Sequence, residues 1–172
     1  MLKARLMARD FTQREGIVFN EVFSLIVKHA FFRIILALIV VQDMYLEQMD
    51  AKSTFLHGEL QEEIIMQQPE GYVIPKRDDH MCLLIKSMYD LKQSPRQWYL
   101  RFGIFMIKYT CNKFSYDCCM YFKRISEGKM IYLLLYVDDI LIAYDNWETI
   151  EHLKGFMSSK FEMKGPGLQR RF

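Results

Sequence analysis

The chain has 172 residues, of which 51% are apolar and 26% are charged, and its formal net charge is +2. This composition excludes a disordered chain and fits about one globular domain with a sizeable core. No secretory signal or membrane-spanning stretch is apparent, and the four cysteines follow neither a zinc spacing nor a disulfide framework. We therefore expect an intracellular protein, cytoplasmic or nuclear, with reduced thiols and no membrane partner.

Short strands and polar turns dominate the first half of the chain. The stretch 31–42 is apolar nearly all round, which predicts a buried helix. The stretch 45–49 is a predicted strand that runs into Asp50. The other elements predicted here are a strand at 3–8, a helical or turn-like segment at 53–60, strands at 63–67 and 81–85, a turn at 69–71 and a polar loop at 75–80.

The second half contains a clear helix start. Ser94 fits the N-cap, Pro95 fits the first helical position and Gln97 completes a capping box. The residues spaced for one buried face of this helix are Trp98, Phe102, Phe105 and Met106. The elements predicted after it are a strand at 120–123, a turn at 126–128, strands at 130–135 and 140–144, a helix from Asp145 or Asn146 to near Lys160, and a break at 165–167. This mixed order predicts an α+β fold, with helices packed on one face of a mostly antiparallel sheet.

Two adjacent carboxylates, Asp138 and Asp139, stand between the apolar runs 130–135 and 140–144. Two strands that close on a turn place this pair at the tip of a hairpin. Carboxylates at the lip of an apolar sheet are costly unless a positive group binds them, and a hard divalent cation suits such oxygen ligands. An Asp–Asp dipeptide is equally a good turn sequence. The pair alone therefore leaves both interpretations open.

Asp50 is a third carboxylate at the end of a predicted strand. If that strand lies beside the hairpin, three carboxylates converge and could hold two magnesium ions about 4 Å apart. One ion would lower the pKa of an attacking hydroxyl, and the other would stabilise the leaving phosphate oxygens. Such a site would carry out in-line phosphoryl transfer, with Asp50, Asp138 and Asp139 as the catalytic carboxylates. The residues alone do not show that the strands adjoin, so the turn interpretation stays open beside this one.

A series of short motifs in a fixed order covers nearly the whole chain. These motifs are Lys3-Ala4-Arg5-Leu6, Asp10-Phe11-Thr12-Gln13, Asn20-Glu21-Val22-Phe23-Ser24, the run from Gln48 to Gly58, Gln68-Pro69-Glu70-Gly71-Tyr72, the run from Leu91 to Tyr99, and Tyr136-Val137-Asp138-Asp139. In this order they closely resemble the reverse transcriptase of copia-type LTR retrotransposons, the RNA-dependent DNA polymerase domain of the pol polyprotein.

The resemblance implies the fingers and palm of a right-hand polymerase. On this basis 1–172 is a single fingers/palm domain that is truncated at both ends and lacks a thumb and an RNase H region. The implied reaction is RNA- and DNA-templated DNA synthesis from deoxynucleoside triphosphates. The implied cofactor is Mg²⁺, as two ions, with Mn²⁺ as an alternative. The implied partners are an RNA or DNA template with its primer and other pol-derived chains.

The resemblance also assigns roles to residues. Asp50, Asp138 and Asp139 match the metal-binding carboxylates, and the backbone carbonyl of Ala51 would face a metal. The residues that match substrate-binding positions are Lys3 and Arg5, which would grip the triphosphate, Phe55, the aromatic gate under the sugar, and Gln93, which would touch the incoming nucleotide or the template near it.

The chain departs from the family pattern at several positions. Glycine is usual where Asp10 and Asp90 stand, and Gly-Phe is usual in place of Thr110-Cys111. Proline is usual at Leu25, and Asp-Leu in place of Gly165-Pro166. A glycine at 90 would serve a tight turn or a positive φ, and the new carboxylate there would repel a nearby triphosphate.

These departures support a second hypothesis, a catalytically inactive retroelement remnant that at most binds nucleic acid weakly. A third hypothesis is a different metal-dependent phosphoryl-transfer enzyme, such as a nuclease. Only the three carboxylates support that third hypothesis.

Overall fold

The computed structural model describes Met7 and residues 26–52, 58–60, 63–164 and 170–171. Its helices are α1 (His29–Val41), α2 (Ser94–Lys108) and α3 (Trp147–Ser158). Its strands are β1 (Tyr45–Ala51), β2 (Ile65–Gln67), β3 (Met81–Leu83), β4 (Asn112–Lys113), β5 (Met120–Ser126), β6 (Lys129–Tyr136), β7 (Asp139–Tyr144), β8 (Met163–Lys164) and β9 (Arg170–Arg171). No helix in the described part of the chain combines the length and the apolar character that crossing a bilayer would require.

The chain divides into two compact units. The first unit comprises Met1–Phe23 and Phe55–Trp98, and the second comprises Ser24–Thr54 and Tyr99–Phe172. Strands among the described residues pair antiparallel, both in the large sheet of the second unit and in the β2–β3 ribbon of the first. The α+β class and the mostly antiparallel sheet predicted from the sequence are therefore confirmed.

The sheet of the second unit has the strand order β4-β5-β6-β7-β1-β8, and β9 also pairs with β1. The apolar run that begins at Met130 forms most of β6, and the run that begins at Ile140 forms most of β7. Both are rich in Leu and Ile and lose nearly all their exposure in the centre of the sheet. Val137 and Asp138 form the two-residue connection between them, with Tyr136 paired to Asp139.

Helices α2 and α3 pack against the same face of this sheet. The residues that follow one another across that face from β5 to β1 are Tyr121, Leu133, Ile142 and Glu47. Phe102 of α2 meets Tyr121 edge-on at 5.7 Å between ring centroids. Lys154 of α3 reaches Glu47, and Phe105 of α2 stacks on Phe156 of α3 at 4.7 Å. Helix α1 is joined to the other face, because its Phe31 ring meets Phe114 and Phe114 meets Phe122. The predicted packing of the helices on one face of the sheet therefore holds for α2 and α3 and is wrong for α1.

In the first unit, the β2–β3 ribbon pairs Ile65 with Leu83. The predicted turn at 69–71 is present, with the Tyr72 amide donating to the Pro69 carbonyl. The loop that follows is fastened by the Gln68 side chain, which donates to the carbonyls of Arg77 and His80. The predicted strands 63–67 and 81–85 are thus present in shortened form.

Two further predictions about helices are wrong. Helix α1 buries a single stripe through Ile35 and Ile39, while Val40 and Val41 are 61% and 80% exposed, so it is not buried nearly all round. The Ser94 capping box does not form, because the Ser94 hydroxyl bonds the hydroxyl of Ser87 and donates to the Met88 carbonyl at 2.8 Å. The first-turn amide of Gln97 donates to the Gln93 carbonyl instead.

Of the remaining predicted elements, some are confirmed and others lie outside the described residues. The buried face of α2 is confirmed, as is the turn near Gly128 with its φ of +72°. The start of α3 is confirmed as well, since the Asn146 side chain accepts the Thr149 amide at 2.9 Å. The segments 53–57 and 165–167, and most of 3–8, lie outside the described residues.

Helices α1 and α2 end in the same way. The amide of Cys111 donates to the Met106 carbonyl and that of Thr110 to the Ile107 carbonyl, a pattern known as a Schellman motif. Thr110 has a φ of +62°, and Asp43 has a φ of +51° at the matching position after α1. Asp90 also has a positive φ, +66°. The expectation that glycine at 90 would serve a positive φ is therefore confirmed, and the departure at Thr110 falls at the same kind of position.

Candidate active site

The three carboxylates predicted to be catalytic lie at one end of the large sheet. Strand β1 runs antiparallel to β7, and Asp50 is the direct cross-strand partner of Asp139. Asp138 occupies the β6–β7 turn next to them. Directly opposed residues in an antiparallel pair lie about 4.5–5.5 Å apart. The adjacency of β1 and the hairpin, which the sequence could only suppose, is therefore present in the fold.

The turn that carries Asp138 is held in an unusual conformation. Val137 has a φ of +56°, a left-handed value that is costly for a β-branched residue. The backbone carbonyl of Asp138 accepts the Ala51 amide at 2.9 Å. This bond ties the turn to the end of β1 and fixes the backbone of Asp138 relative to that of Asp50.

Side-chain alternation places Asp50 and Gln48 on the same open face of β1, while Glu47 and Met49 are buried on the other face. Asp50 is exposed, and Asp138 and Asp139 are half-buried. The Gln48 amide Nε2 donates to Asp139 Oδ1 at 3.0 Å. Gln48 therefore holds one carboxylate oxygen of the pair from two residues along the neighbouring strand.

A row of backbone-paired residues crosses the sheet at this end. Ile26 pairs with Tyr136 through an isolated antiparallel bridge. Tyr136 pairs with Asp139, and Asp139 with Asp50. Asp50 in turn pairs with Lys164 of β8. Asp139 and Asp50 thus occupy the middle of a continuous row of paired residues, and Asp138 lies in the turn beside it.

The fit of this site to a divalent cation rests on ligand chemistry and backbone register. Carboxylates are the ligands that Mg²⁺ prefers, and three of them share one end of the sheet. Their oxygens are not drawn into a tight cluster, since among the described residues only Asp117, Cys118 and Cys119 have ligand atoms within 4.8 Å of one another. In ligand chemistry and in backbone register, the three carboxylates fit a hard cation.

The Asp117, Cys118 and Cys119 cluster is poorly suited to a metal ion. Both Asp117 oxygens already accept backbone amides, Oδ2 from Lys28 at 2.8 Å and Oδ1 from Cys119 at 2.9 Å. Burial raises the pKa of Cys119 to about 12, and a metal requires the thiolate. Asp117 acts here as a connector between two backbone segments.

The structure says less about the other predicted site residues, which are Gln93, Ala51, Lys3, Arg5 and Phe55. Gln93 lies in the first unit with only 3% exposure, and its side-chain amide atoms find no hydrogen-bond partner among the described residues. Ala51 ends β1 and is buried. Lys3, Arg5 and Phe55 lie outside the described residues. Within the described part of the second unit, the structure brings together Asp50, Ala51, Asp138 and Asp139.

Sequence reasoning missed two residues beside the site. Gln48 had no signal of its own, because its bond to Asp139 depends on the β1–β7 register. Glu47 had a weak signal, because strand alternation places its carboxylate on the same face as the apolar residues Met49 and Ala51. Its side chain is fully buried and pairs with Lys154 Nζ at 2.9 Å. Burial alone would lower the pKa of Lys154, but hydrogen bonds to Glu151 and Glu47 outweigh it and raise that pKa.

Comparison with known proteins shows the family of the chain. The model of the family described as "Reverse transcriptase (RNA-dependent DNA polymerase)" matches residues 1–172. The chain therefore belongs to the reverse transcriptase family, and the resemblance to retrotransposon reverse transcriptases is confirmed. No solved structure matches the chain.

The relatives that match the chain include transposon polyproteins of plants. The chain is 49% identical over 169 residues to the retrovirus-related Pol polyprotein from transposon TNT 1-94 of Nicotiana tabacum, which covers 97% of the chain and 13% of that protein. It is 35% identical over 162 residues to the corresponding polyprotein from transposon RE2 of Arabidopsis thaliana, and 32% identical over 163 residues to that from RE1. These matches cover 94% of the chain and 11% of each Arabidopsis protein. The chain thus spans about an eighth or less of the length of these relatives.

Proposed function

We propose that the chain is the nucleotidyl-transfer domain of a retrotransposon reverse transcriptase, with its active centre at Asp50, Asp138 and Asp139. The observation that carries this proposal is the pairing of Asp50 with Asp139 beside the Val137–Asp138 turn. In the proposed reaction, a primer 3′-hydroxyl attacks the α-phosphorus of a deoxynucleoside triphosphate. A new phosphodiester bond forms, the bond to the β-phosphate oxygen breaks, and pyrophosphate leaves.

The chain's residues contribute positioning and charge. Asp50 and Asp139 present carboxylates from paired strands, and the Ala51–Asp138 backbone bond holds the turn against β1. Gln48 orients Asp139. When bound, two Mg²⁺ ions supply activation of the hydroxyl and neutralisation of the developing phosphate charge, and Mn²⁺ can take the same ligands. The backbone carbonyl of Ala51 is the further candidate metal ligand.

We assign the second unit to the palm and the first unit to the fingers of a right-hand polymerase. The large antiparallel sheet with the carboxylates at one end supports the palm assignment. Gln93 supports the fingers assignment, because a buried amide without partners is costly and a substrate's polar groups would satisfy it. Lys3, Arg5 and Phe55 are proposed to contact the triphosphate and sugar on the strength of the family resemblance.

The proposed partners are a template–primer, deoxynucleoside triphosphates and other chains derived from the same polyprotein. An intracellular location, cytoplasmic or nuclear, is part of the proposal, because the substrates are intracellular.

Primer extension on an RNA template with magnesium tests the proposal. We expect template-dependent extension by the parent chain and its loss in Asp138→Asn. The matched control is Asp78→Asn, which removes an exposed carboxylate in the loop of the first unit and should leave extension unchanged. Absence of extension from a folded parent chain would overturn the proposal in favour of an inactive remnant.

A further inference from the structure

A cavity opens beside the row that carries the carboxylates. Its volume is about 440 Å³, within the range of ligand pockets. Its walls come from the segment before α1 and from the turn between β4 and β5, and we call it the turn pocket. The residues that line it are Ile26, Lys28, Lys113, Phe114, Ser115, Tyr116, Asp117 and Cys118.

The strand arrangement creates this pocket. Strand β5 begins at Met120, opposite Leu134, and the Leu135 amide donates to the Cys119 carbonyl. At the next residue of β6, Tyr136, the neighbouring backbone is that of Ile26 and no longer that of β5. The chain between the end of β4 and the start of β5 is thereby displaced from the sheet. The space between it and the Ile26–Lys28 segment is the turn pocket.

Two lysines, Lys28 and Lys113, are among the residues that line the turn pocket. Lys28 Nζ donates one hydrogen to the Tyr116 carbonyl at 3.0 Å, and an ammonium has three to give. Lys113 Nζ lies 5.0 Å from the centre of the Tyr99 ring, and a hydrogen bond to the Tyr99 side chain raises the pKa of Lys113. Lys113 therefore remains charged at neutral pH.

The single carboxylate in the lining does not cancel these charges at the mouth. Asp117 is 4% exposed, and each of its oxygens accepts a backbone amide. The two lysines outnumber this carboxylate, so the formal charge of the lining is net positive. The open side of the turn pocket therefore favours an anion.

Aromatic surface lies next to the lysines. The Phe114 ring contacts the Tyr116 ring at 5.7 Å between centroids, and Tyr116 is 72% exposed. An exposed aromatic ring beside positive charge is the combination that binds unpaired nucleotides, because the base stacks on the ring while lysine meets the phosphate.

The location of the pocket relates it to the carboxylates. Ile26 is two strands from Asp139 in the same cross-strand row. At about 4.8 Å for each strand, the pocket edge lies about 10 Å from Asp139. An occupant there would be a neighbour of the reacting nucleotide on the same strand, not the incoming triphosphate.

We propose that the turn pocket holds one nucleotide of an unpaired nucleic acid strand, with its base on Tyr116 and its phosphate between Lys28 and Lys113. This inference rests on the proposed function for the path of the strand, but binding at the pocket can be measured without catalysis.

The test is fluorescence anisotropy with a labelled oligothymidylate of about twelve nucleotides, without divalent metal, at several KCl concentrations. We expect Tyr116→Ala to weaken binding about tenfold, because the base loses the ring on which it stacks, and Tyr116→Trp to restore it. We expect Lys113→Gln to reduce the slope of log K against log salt by about 0.7, the value for one phosphate of a single strand.

The matched control for charge is Lys160→Gln, which removes an exposed lysine after α3 in the same unit and should leave the slope unchanged. Thermal melting establishes that each variant is folded. Unchanged affinity and slope in folded Tyr116→Ala and Lys113→Gln would overturn the proposal. Equal affinity for thymidine monophosphate would also overturn it, because the site would then bind free nucleotides and not a strand.

Asp138→Asn separates this proposal from the proposed function. It should bind the oligonucleotide as tightly as the parent. The parent chain could bind the oligonucleotide through Tyr116 and Lys113 and yet fail to extend a primer. That result would support the turn pocket as a binding site and contradict the polymerase assignment.

Discussion

The side-chain amide of Gln48 donates a 3.0 Å hydrogen bond to Oδ1 of Asp139, although the two residues are 91 positions apart in the chain. The bond is diagonal across β1 and β7, whose register sets Gln48 opposite Leu141. It makes Gln48 a positioning residue for a proposed metal ligand.

Substitution of Gln48 by leucine should weaken magnesium-dependent activity at a given metal concentration. Loss of the amide frees Asp139 to rotate, and groups that orient metal ligands typically contribute tenfold or more to metal affinity or activity. We expect the magnesium concentration for half-maximal extension to rise about tenfold, with a smaller change in the rate at saturating metal. Gln42→Leu, an exposed glutamine after α1, is the control. A metal dependence that is the same in Gln48→Leu and in the parent would contradict the positioning role.

Breaking the ion pair between Glu47 and Lys154 should lower the free energy of unfolding strongly, whereas replacing both residues by apolar side chains should lower it much less. Lys154→Met leaves a fully buried carboxylate, and removal of one partner of a buried pair costs about 3–5 kcal/mol. The double substitution Glu47→Leu with Lys154→Met should recover most of that loss. The control is Lys52→Met, because the Lys52–Glu162 pair is exposed and should contribute less than about 1 kcal/mol. Urea denaturation measures the free energy of unfolding of the parent, Lys154→Met, the double variant and Lys52→Met. A small loss of stability in Lys154→Met would contradict a stabilising role of the pair.

The same ion pair predicts a pH dependence. The pKa of Lys154 is raised above its usual value of 10.5 in the folded chain. A raised lysine pKa stabilises the folded state below the unfolded value and ceases to do so as pH rises through the folded value. The difference in unfolding free energy between the parent and Lys154→Met should therefore be constant from pH 7 to 9 and shrink above about 10.5. A difference that grows with pH would have the wrong sign.

Gly58 should not tolerate a side chain. A Cβ at this position would lie 2.6 Å from the Gln97 Cβ and 3.4 Å from the Ser87 Cβ. The Ser87 amide also donates to the Gly58 carbonyl, so the backbone cannot easily retreat. Gly58→Ala should cost about 1–3 kcal/mol by overpacking, measured by urea denaturation. Gly155→Ala, where a Cβ would meet nothing within 4 Å, should be neutral or stabilising. Equal effects of the two substitutions would refute the close approach.

Thr110→Gly should stabilise the chain. Thr110 has a φ of +62° after α2, and left-handed backbone costs about 1–2 kcal/mol for residues other than glycine. The free energy of unfolding should rise by about 1 kcal/mol, as measured by urea denaturation. Ser159→Gly is the matched control, because Ser159 ends α3 with a φ of −71° and glycine there relieves nothing. A loss of stability in Thr110→Gly would mean that its hydroxyl bond to the Tyr109 carbonyl outweighs the strain.

Local patterns predicted the parts of the fold that local physics decides. The apolar runs on either side of Asp138 became β6 and β7, and Asn146 caps α3 as its residue type indicated. The positive φ of Asp90 followed from the glycine usual at that position.

Other features depend on partners that are distant in sequence. The Ser94 hydroxyl had the right position for a cap, but the Met88 carbonyl competes for it. The exposure of Val40 and Val41 depends on how α1 lies in the fold, which its uniformly apolar sequence does not reveal. Gln48 and Lys154 acquire their roles only through the pairing of β1 with β7 and the packing of α3.

The cross-strand row through Ile26, Tyr136, Asp139, Asp50 and Lys164 also has a consequence for synthesis on the ribosome. Its members come from four separate stretches of the chain. Apart from the Tyr136–Asp139 pair of the hairpin, each pairing closes a long loop, and the row therefore has a high contact order. Until Lys164 emerges, the Asp50 end of β1 is an unpaired edge able to associate with other nascent chains. The active centre should therefore be among the last parts of the molecule to form, and its assembly should depend on chaperones more than that of α2 or α3.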